Sequence, residues 1–453
     1  MVNVSRLRKT QIHWIFSLLF FTALAIFIYR TPILNIGPHV FELVVDLEVP
    51  ISLNNLIHYY YPIWNDVLSF VDLVAAFQVG VWLFLGLAWI LQLSSMTTVL
   101  LMFVASTALA GFAGYACTYT LIRRSYSGSD QIPIIIASLA AGLVTIINPL
   151  WANDATHVAK KLAFVFAPVT FLLFWLGFRE KRFSYVLGGT IAMVFYTTGP
   201  RNLISATILF LLIAVFSLAE DIIRSRFNLK TSLRSLLLYV KYGCFAVLAY
   251  IALDAYRLVP LLYRYATSGQ QAPYLATLES ALQGDEGSTL VGVIQFNPIQ
   301  PNLHRGYLNV PAVLQGTPTT QFIFYSGFIV FACIIILAFV RPLNRDIVFL
   351  IVNFVFWTII STALNPLGFP YVEELYYWLI FEAPLHQYMF WAYRHAIEFW
   401  SLSLVTGAFL FGIFLFSVLT TQKVSALPPK LMGKAKTPAF SRKNCRFSGK
   451  NNL

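Results

Sequence analysis

Charge is what this sequence lacks. Only 11% of its 453 residues are charged and only 19 are acidic, against roughly 25% charged in an ordinary soluble domain. A soluble globular enzyme of this length is thereby excluded. Cysteine is scarce as well: Cys117, Cys244 and Cys333 fall in three separate apolar runs and Cys445 in the carboxy-terminal tail. No disulfide framework and no CxxC metal site is expected from that spacing. No short period repeats, which removes fibrous and solenoid architectures. At 58% hydrophobic the chain is also too apolar to be disordered.

What it has instead is long apolar runs and a mean hydropathy of +0.72. The runs cover approximately 12–29, 97–122, 132–149, 162–178, 184–199, 202–219, 236–258, 319–340, 346–364 and 396–419. A run of about 20 residues crosses a hydrocarbon core of about 30 Å. The expected fold class is all-α, a polytopic transmembrane helical bundle of about 10–11 spans. The first run follows Arg6, Arg8 and Lys9, is longer than a signal-peptide core and lacks a small-x-small cleavage site, so it reads as a retained signal anchor. A further stretch, 74–93, reads as re-entrant or interfacial on the strength of Gln78, Gly80 and Gly86; the alternative is an eleventh crossing with the amino terminus outside.

The net charge of +12 does not indicate nucleic acid, because no basic stripe carries interleaved stacking aromatics. Lys and Arg sit between the runs on alternate sides: Arg123/Arg124, Arg179/Lys181/Arg182, Arg224/Arg226/Lys230/Arg234, Arg341/Arg345 and the tail from Lys423 to Lys450. If 74–93 does not cross, all of these share one side with the amino terminus. The positive-inside rule makes that side cytoplasmic and the protein a multi-pass cell-membrane protein with both termini in the cytoplasm. Residues 1–420 then form the membrane domain. Residues 421–453 form a basic cytoplasmic tail whose Lys, Pro and Ser content predicts disorder and contact with anionic lipid. Three long outer segments follow, at about 30–73, 259–318 and 365–395, and most of the carboxylates fall on that outer side.

The first outer segment carries the densest chemistry: FELVVDLEVPISLNNLIHYYYPIWND over Phe41–Asp66. Asp46 and Glu48 are two apart, so an extended backbone turns both carboxylates to one face. They can accept a proton or hold a divalent cation, although nothing in the sequence requires a metal or other cofactor. His58, Tyr61 and Trp64 can stack on a sugar or form an interfacial aromatic belt. Asp154 and His157 are three apart, on one face of a helix if helical, or simply part of a solvated loop. Arg201, in a GPRN turn, and Arg394 can bind phosphate or snorkel at helix ends. Arg305, Lys160 and Lys161 are weaker phosphate candidates, and Glu373 with Glu374 reads as an interfacial pair. Of the polar residues within runs, Lys241 and Asp254 stand near span ends, where snorkelling is open to them.

An acidic residue in the loop after the first span of a long polytopic bundle resembles the GT-C glycosyltransferases. More narrowly, DLEVPISLNNLIHYYYPIWND resembles a D-x-x-x-P…YYYP-W loop of prokaryotic proteins related to arabinofuranosyltransferases. INPLWANDATHVAKKLAFVFAPVTFLLF (147–174) resembles that group's NP…H…aP segment, and YRHAIEFW (393–400) a late FREPxKF motif. In the last, His395 and Ala396 replace Glu-Pro and Glu398 stands in place of Lys, so only Arg394 carries a role over. The resemblance implies a membrane enzyme that takes a sugar from a polyprenyl-phosphate donor and passes it to a glycan or glycoprotein acceptor. Asp46, with Glu48 beside it, would be the catalytic carboxylate. Arg201 and Arg394 would bind the donor phosphate, and His58, Tyr61, Trp64, Asp154 and His157 would bind substrate. Two other readings fit the span count: a flippase for lipid-linked sugars, and a non-catalytic scaffold for a surface assembly.

Overall fold

The computed structural model describes residues 4–30, 86–126, 130–148, 158–197, 200–267, 318–340, 344–361 and 396–425, with Tyr371, Glu374 and Trp378. Among them every regular element is an α-helix, as apolar surroundings demand of a segment that must pair its own backbone N–H and C=O groups. The helices are α1 Val4–Ile28, α2 Ser95–Ser125, α3 Gln131–Ile146, α4 Val158–Glu180 and α5 Phe183–Tyr196. They continue with α6 Pro200–Arg224, α7 Leu229–Thr267, α8 Pro318–Val340, α9 Arg345–Ile360 and α10 Ala396–Ser425.

Each coincides with one of the ten apolar runs. The largest difference is at α7, which begins at Leu229 and takes in Lys230 and Arg234. Both are good helix formers that a hydropathy criterion leaves out. Four helices are long and apolar enough to cross a membrane: Leu100–Ser125, Leu203–Arg224, Leu229–Ala255 and Ser401–Thr420. Others are shorter than expected. At 16, 14 and 16 residues, α3, α5 and α9 reach only roughly 21–24 Å.

Successive helices run antiparallel. His13 Nδ1 of α1 lies 2.7 Å from Tyr115 Oη of α2, whereas Thr107 donates to Tyr29 Oη at 3.3 Å and Phe103 packs on the Tyr29 ring. The end of α1 and the start of α2 therefore lie at the same end of the bundle; most of 74–93 lies outside the described residues. The described part of that stretch is a helical turn at 86–90, ended by a bend where Gln92 takes φ 51°. Ser94 then caps α2, accepting from Thr97 N at 3.1 Å. Gly86 does not press against protein, since a Cβ there would meet nothing within 4 Å. Trp89 and Ile90 are 61% and 69% exposed.

The bundle is built around α2 and α10, whose apolar windows are 67% and 72% buried; those of α6 and α7 are 28% and 22% buried and turn bare apolar faces outward. Close approach at the centre depends on missing side chains, the usual device of helix pairs with no water to expel. A Cβ on Gly142 of α3 would strike the Phe21 ring of α1 and stand 2.5 Å from the Gly111 carbonyl oxygen of α2. Gly142→Ala is expected to destabilise by about 1–3 kcal/mol through overpacking, read as a lower thermal-unfolding midpoint in detergent. Gly243→Ala, whose nearest neighbour is Phe210 Cε1 at 3.7 Å, is the control and leaves the midpoint unchanged or higher.

Candidate functional site

Helix direction decides where the chemistry-bearing segments attach. Asp46, Glu48, His58, Tyr61, Trp64, Asp154, His157 and Arg394 lie outside the described residues, and Arg201 is described only as backbone in the first turn of α6. Their neighbours in the chain are described. Asp46 to Trp64 fall between the end of α1 and the start of α2. Asp154 and His157 fall between the end of α3 and the start of α4, and Arg394 immediately precedes α10. All these helix ends, with the start of α6, gather at one end of the bundle.

The floor of that end is polar and buried. Tyr196 Oη of α5 lies 2.8 Å from Ser205 Oγ of α6 and 3.4 Å from Ser401 Oγ of α10. Tyr250 of α7 donates to Thr197 Oγ1 at 2.9 Å, and Thr358 Oγ1 of α9 stands 2.9 Å from Ser403 Oγ of α10. Tyr196 and Ser205 flank the GPRN turn, so their bond fixes the backbone that carries Arg201. Asp254 also belongs to this end, where it is 0% exposed. It does not snorkel, since its side chain is fully buried within the bundle. The hydroxyl floor was not foreseen, because single Ser and Thr residues in apolar runs carry no periodic signal.

The other end is ionic. Asp346 of α9 is 3% exposed, and its Oδ2 accepts from Arg179 Nη1 of α4 at 2.8 Å and from Ser125 Oγ of α2 at 2.5 Å. Glu220 of α6 pairs with Arg224 and with Arg345, each at 2.6 Å. Asp221 accepts from Lys181 at 2.7 Å and from Tyr239 at 2.8 Å, and Glu180 pairs with Arg124. The Arg345 guanidinium also stands 5.3 Å from the centre of the Trp175 ring, which stacks at 4.0 Å on Phe349. Arg345 is the first residue of α9, outside the apolar run. Burial pulls its pKa below the usual arginine value, against the opposing pull of Glu220. Between these groups lies a cavity of about 550 Å³ lined by Arg179, Arg224, Arg345 and Asp346, among others. The sequence identified these residues as topology signals; it did not pair them.

A third polar position sits within α1. His13 is 6% exposed, bonded to Tyr115 and stacked between Trp14 at 4.8 Å and Tyr119 at 4.6 Å. Among the described residues no three His, Cys, Asp or Glu side chains gather as a metal site would require. Set against known proteins, the chain matches no family model, no curated protein and no solved structure.

Asp346→Asn keeps the shape but leaves Arg179 without its counter-charge. A loss on the order of 3 kcal/mol is expected from breaking such a buried pair. Arg124→Gln, at a pair whose side chains are 34% and 27% exposed, is expected to cost about 1 kcal/mol or less. Chemical denaturation in detergent compares the two. The two-ended arrangement has its own check. In a cysteine-free background an impermeant maleimide should label Asp154→Cys in intact cells, whereas Lys230→Cys should be labelled only after the cells are broken.

Proposed function

We propose that this chain is a multi-pass membrane glycosyltransferase that takes a sugar from a polyprenyl-phosphate donor and transfers it to a glycan, lipid or protein acceptor on the outer face of the cell membrane. One observation carries the reading. The described helix ends that flank the three resembling motifs in the chain, and the start of α6, lie at the same end of the helical bundle, the end that carries the buried hydroxyls and not the ion pairs. Three segments far apart in sequence would share a site only in that arrangement. The gathering of the basic connections at the other end supports a cytoplasmic assignment for it and for both termini.

In this reading Asp46 accepts the proton of an acceptor hydroxyl as that oxygen attacks the anomeric carbon, and Glu48, two residues on in the chain, is the second carboxylate. The bond from the anomeric carbon to the donor phosphate oxygen breaks, and negative charge develops on the polyprenyl phosphate. Arg201 and Arg394 meet that charge, guanidinium being the side chain suited to bidentate contact with phosphate. The amino terminus of α6, which Arg201 occupies, adds the positive end of a helix dipole. His58, Tyr61, Trp64, Asp154 and His157 supply sugar-stacking faces and hydrogen bonds. Membrane lipid surrounds the bundle and delivers the donor laterally.

The test is transfer of radiolabelled sugar from a panel of polyprenyl-phosphate donors to crude envelope acceptor by the purified protein. The wild type should transfer, and Asp46→Asn should lose on the order of 10²–10⁴-fold, the usual worth of a general base, with an unchanged unfolding midpoint. Equal transfer by both would remove Asp46 from the mechanism. Donor binding without transfer by either would favour the flippase, and a protein that neither binds nor transfers would favour the scaffold.

A further inference from the structure

The ionic end holds more positive charge than its own carboxylates neutralise. Arg124, Arg179, Lys181, Arg182, Arg224 and Arg345 face Glu180, Glu220, Asp221 and Asp346, six cations for four anions. Each carboxylate has at least one cationic partner, and Asp346 Oδ1 is buried without a hydrogen bond. Asp346 Oδ2 takes Arg179 and Ser125, Glu220 takes Arg224 and Arg345, and Glu180 takes Arg124 and Arg182. Arg224 uses Nη2 on Glu220 and Arg179 uses Nη1 on Asp346. Their remaining N–H groups have no protein acceptor among the described residues, and both side chains line the cavity of about 550 Å³.

We propose that this cavity binds the phosphate of an anionic ligand, either the headgroup of an anionic phospholipid or a soluble phosphate. Three guanidiniums around one cavity offer forked donor pairs that match phosphate oxygens. Glu180 and Asp346 line the cavity too, so its own lining carries three guanidiniums against two carboxylates, a surplus of one positive charge that a phosphate anion offsets. The cavity's volume lies within the range of sites that hold a small molecule or headgroup. Close to Arg224 in the chain, Ile223, Phe227 and Leu229 are 66%, 75% and 82% exposed. An acyl chain lying against those residues places its phosphate at Arg224, the arrangement by which basic pockets at helix ends hold anionic headgroups. The site lies at the end opposite the proposed transfer reaction and does not depend on it.

The experiment uses the purified full-length protein in dodecylmaltoside. Its thermal-unfolding midpoint is titrated with dioleoyl phosphatidic acid, dioleoyl phosphatidylcholine or inorganic phosphate at constant ionic strength. Phosphatidic acid should raise the midpoint saturably and phosphatidylcholine should not. If inorganic phosphate reproduces the rise, the ligand is a soluble phosphate; if phosphate is inert, it is the lipid. Arg224→Gln should weaken the apparent affinity roughly tenfold, the loss of one charge-assisted contact. Its side chain is 63% exposed and Glu220 keeps Arg345, so the variant retains its fold. Lys230→Gln, exposed but outside the cavity, should bind as wild type. The proposal is overturned if neither phosphatidic acid nor phosphate acts more strongly than phosphatidylcholine, or if Arg224→Gln binds as tightly as wild type.

Discussion

A single carboxylate oxygen joins three helices. Asp346 Oδ2 on α9 accepts from Ser125 on α2 and Arg179 on α4, residues 221 and 167 positions away in the chain. Taking a carboxylate this far from water costs several kcal/mol, and the geometry offsets that cost only while both donors stay in place. The pair therefore admits one register for α2, α4 and α9 and penalises the others. With that register set, Trp175 on α4 lies flat on Phe349 of α9, and Phe349 meets Phe171 and Phe216. Arg345 follows onto the Trp175 ring and toward Glu220, which draws in α6. Between helices in lipid no hydrophobic force operates, so packing and polar contacts of this kind select the arrangement.

The two ends of the bundle are held by different chemistry. At one, guanidiniums and carboxylates pair across α2, α4, α6 and α9. At the other, neutral hydroxyls pair across α5, α6, α7, α9 and α10. A neutral hydrogen bond contributes about 1 kcal/mol net, and a hydroxyl can rotate to another partner without leaving a charge bare. An ion pair buried to the depth of Asp346 has no such freedom. The central region between them is closed by glycine and by small hydroxyl residues, Gly111, Gly142, Gly412 and Thr118 among them, where backbones approach too closely for a larger side chain.

Hydropathy made the helices legible because each run is long and each is bounded by charge or by Pro and Gly. The run 97–122 became Ser95–Ser125, and 319–340 became Pro318–Val340. Where charge enters a helix the reading stopped short, as at the start of α7. The direction of the basic connections was legible too, since Lys and Arg cluster at alternate junctions. Partner choice was not. Nothing near Arg179 in sequence points to Asp346, and Arg345 with Asp346 read as an ordinary junction. His13 was passed over because one imidazole in an apolar run has no pattern; its partners Tyr115 and Tyr119 are one turn apart on another helix. The site residues Asp46, Glu48, His58, Tyr61, Trp64, Asp154, His157 and Arg394 were legible as chemistry and lie outside the described residues, so the structure speaks to their attachment alone.

That attachment has a physical consequence. A ligand on a lipid carrier must enter between helices and leave again, so the end that admits it must separate at tolerable cost. Parting α10 from α5 at the hydroxyl end lengthens a Tyr196–Ser401 contact already at 3.4 Å and leaves Tyr196 bonded to Ser205. Parting α9 from α4 at the ionic end strands a buried carboxylate. For these interhelix contacts the lower cost lies at the hydroxyl end, where Asp254 is the one buried carboxylate among the described residues, and α6 and α7 present apolar faces along their length at Leu211, Val215 and Leu248. A bundle clamped by charge at one end and joined by exchangeable hydroxyls at the other keeps its register while yielding at the hydroxyl end. Under the proposed function, reversing the two sets of residues would place the rigid clamp across the route of the donor.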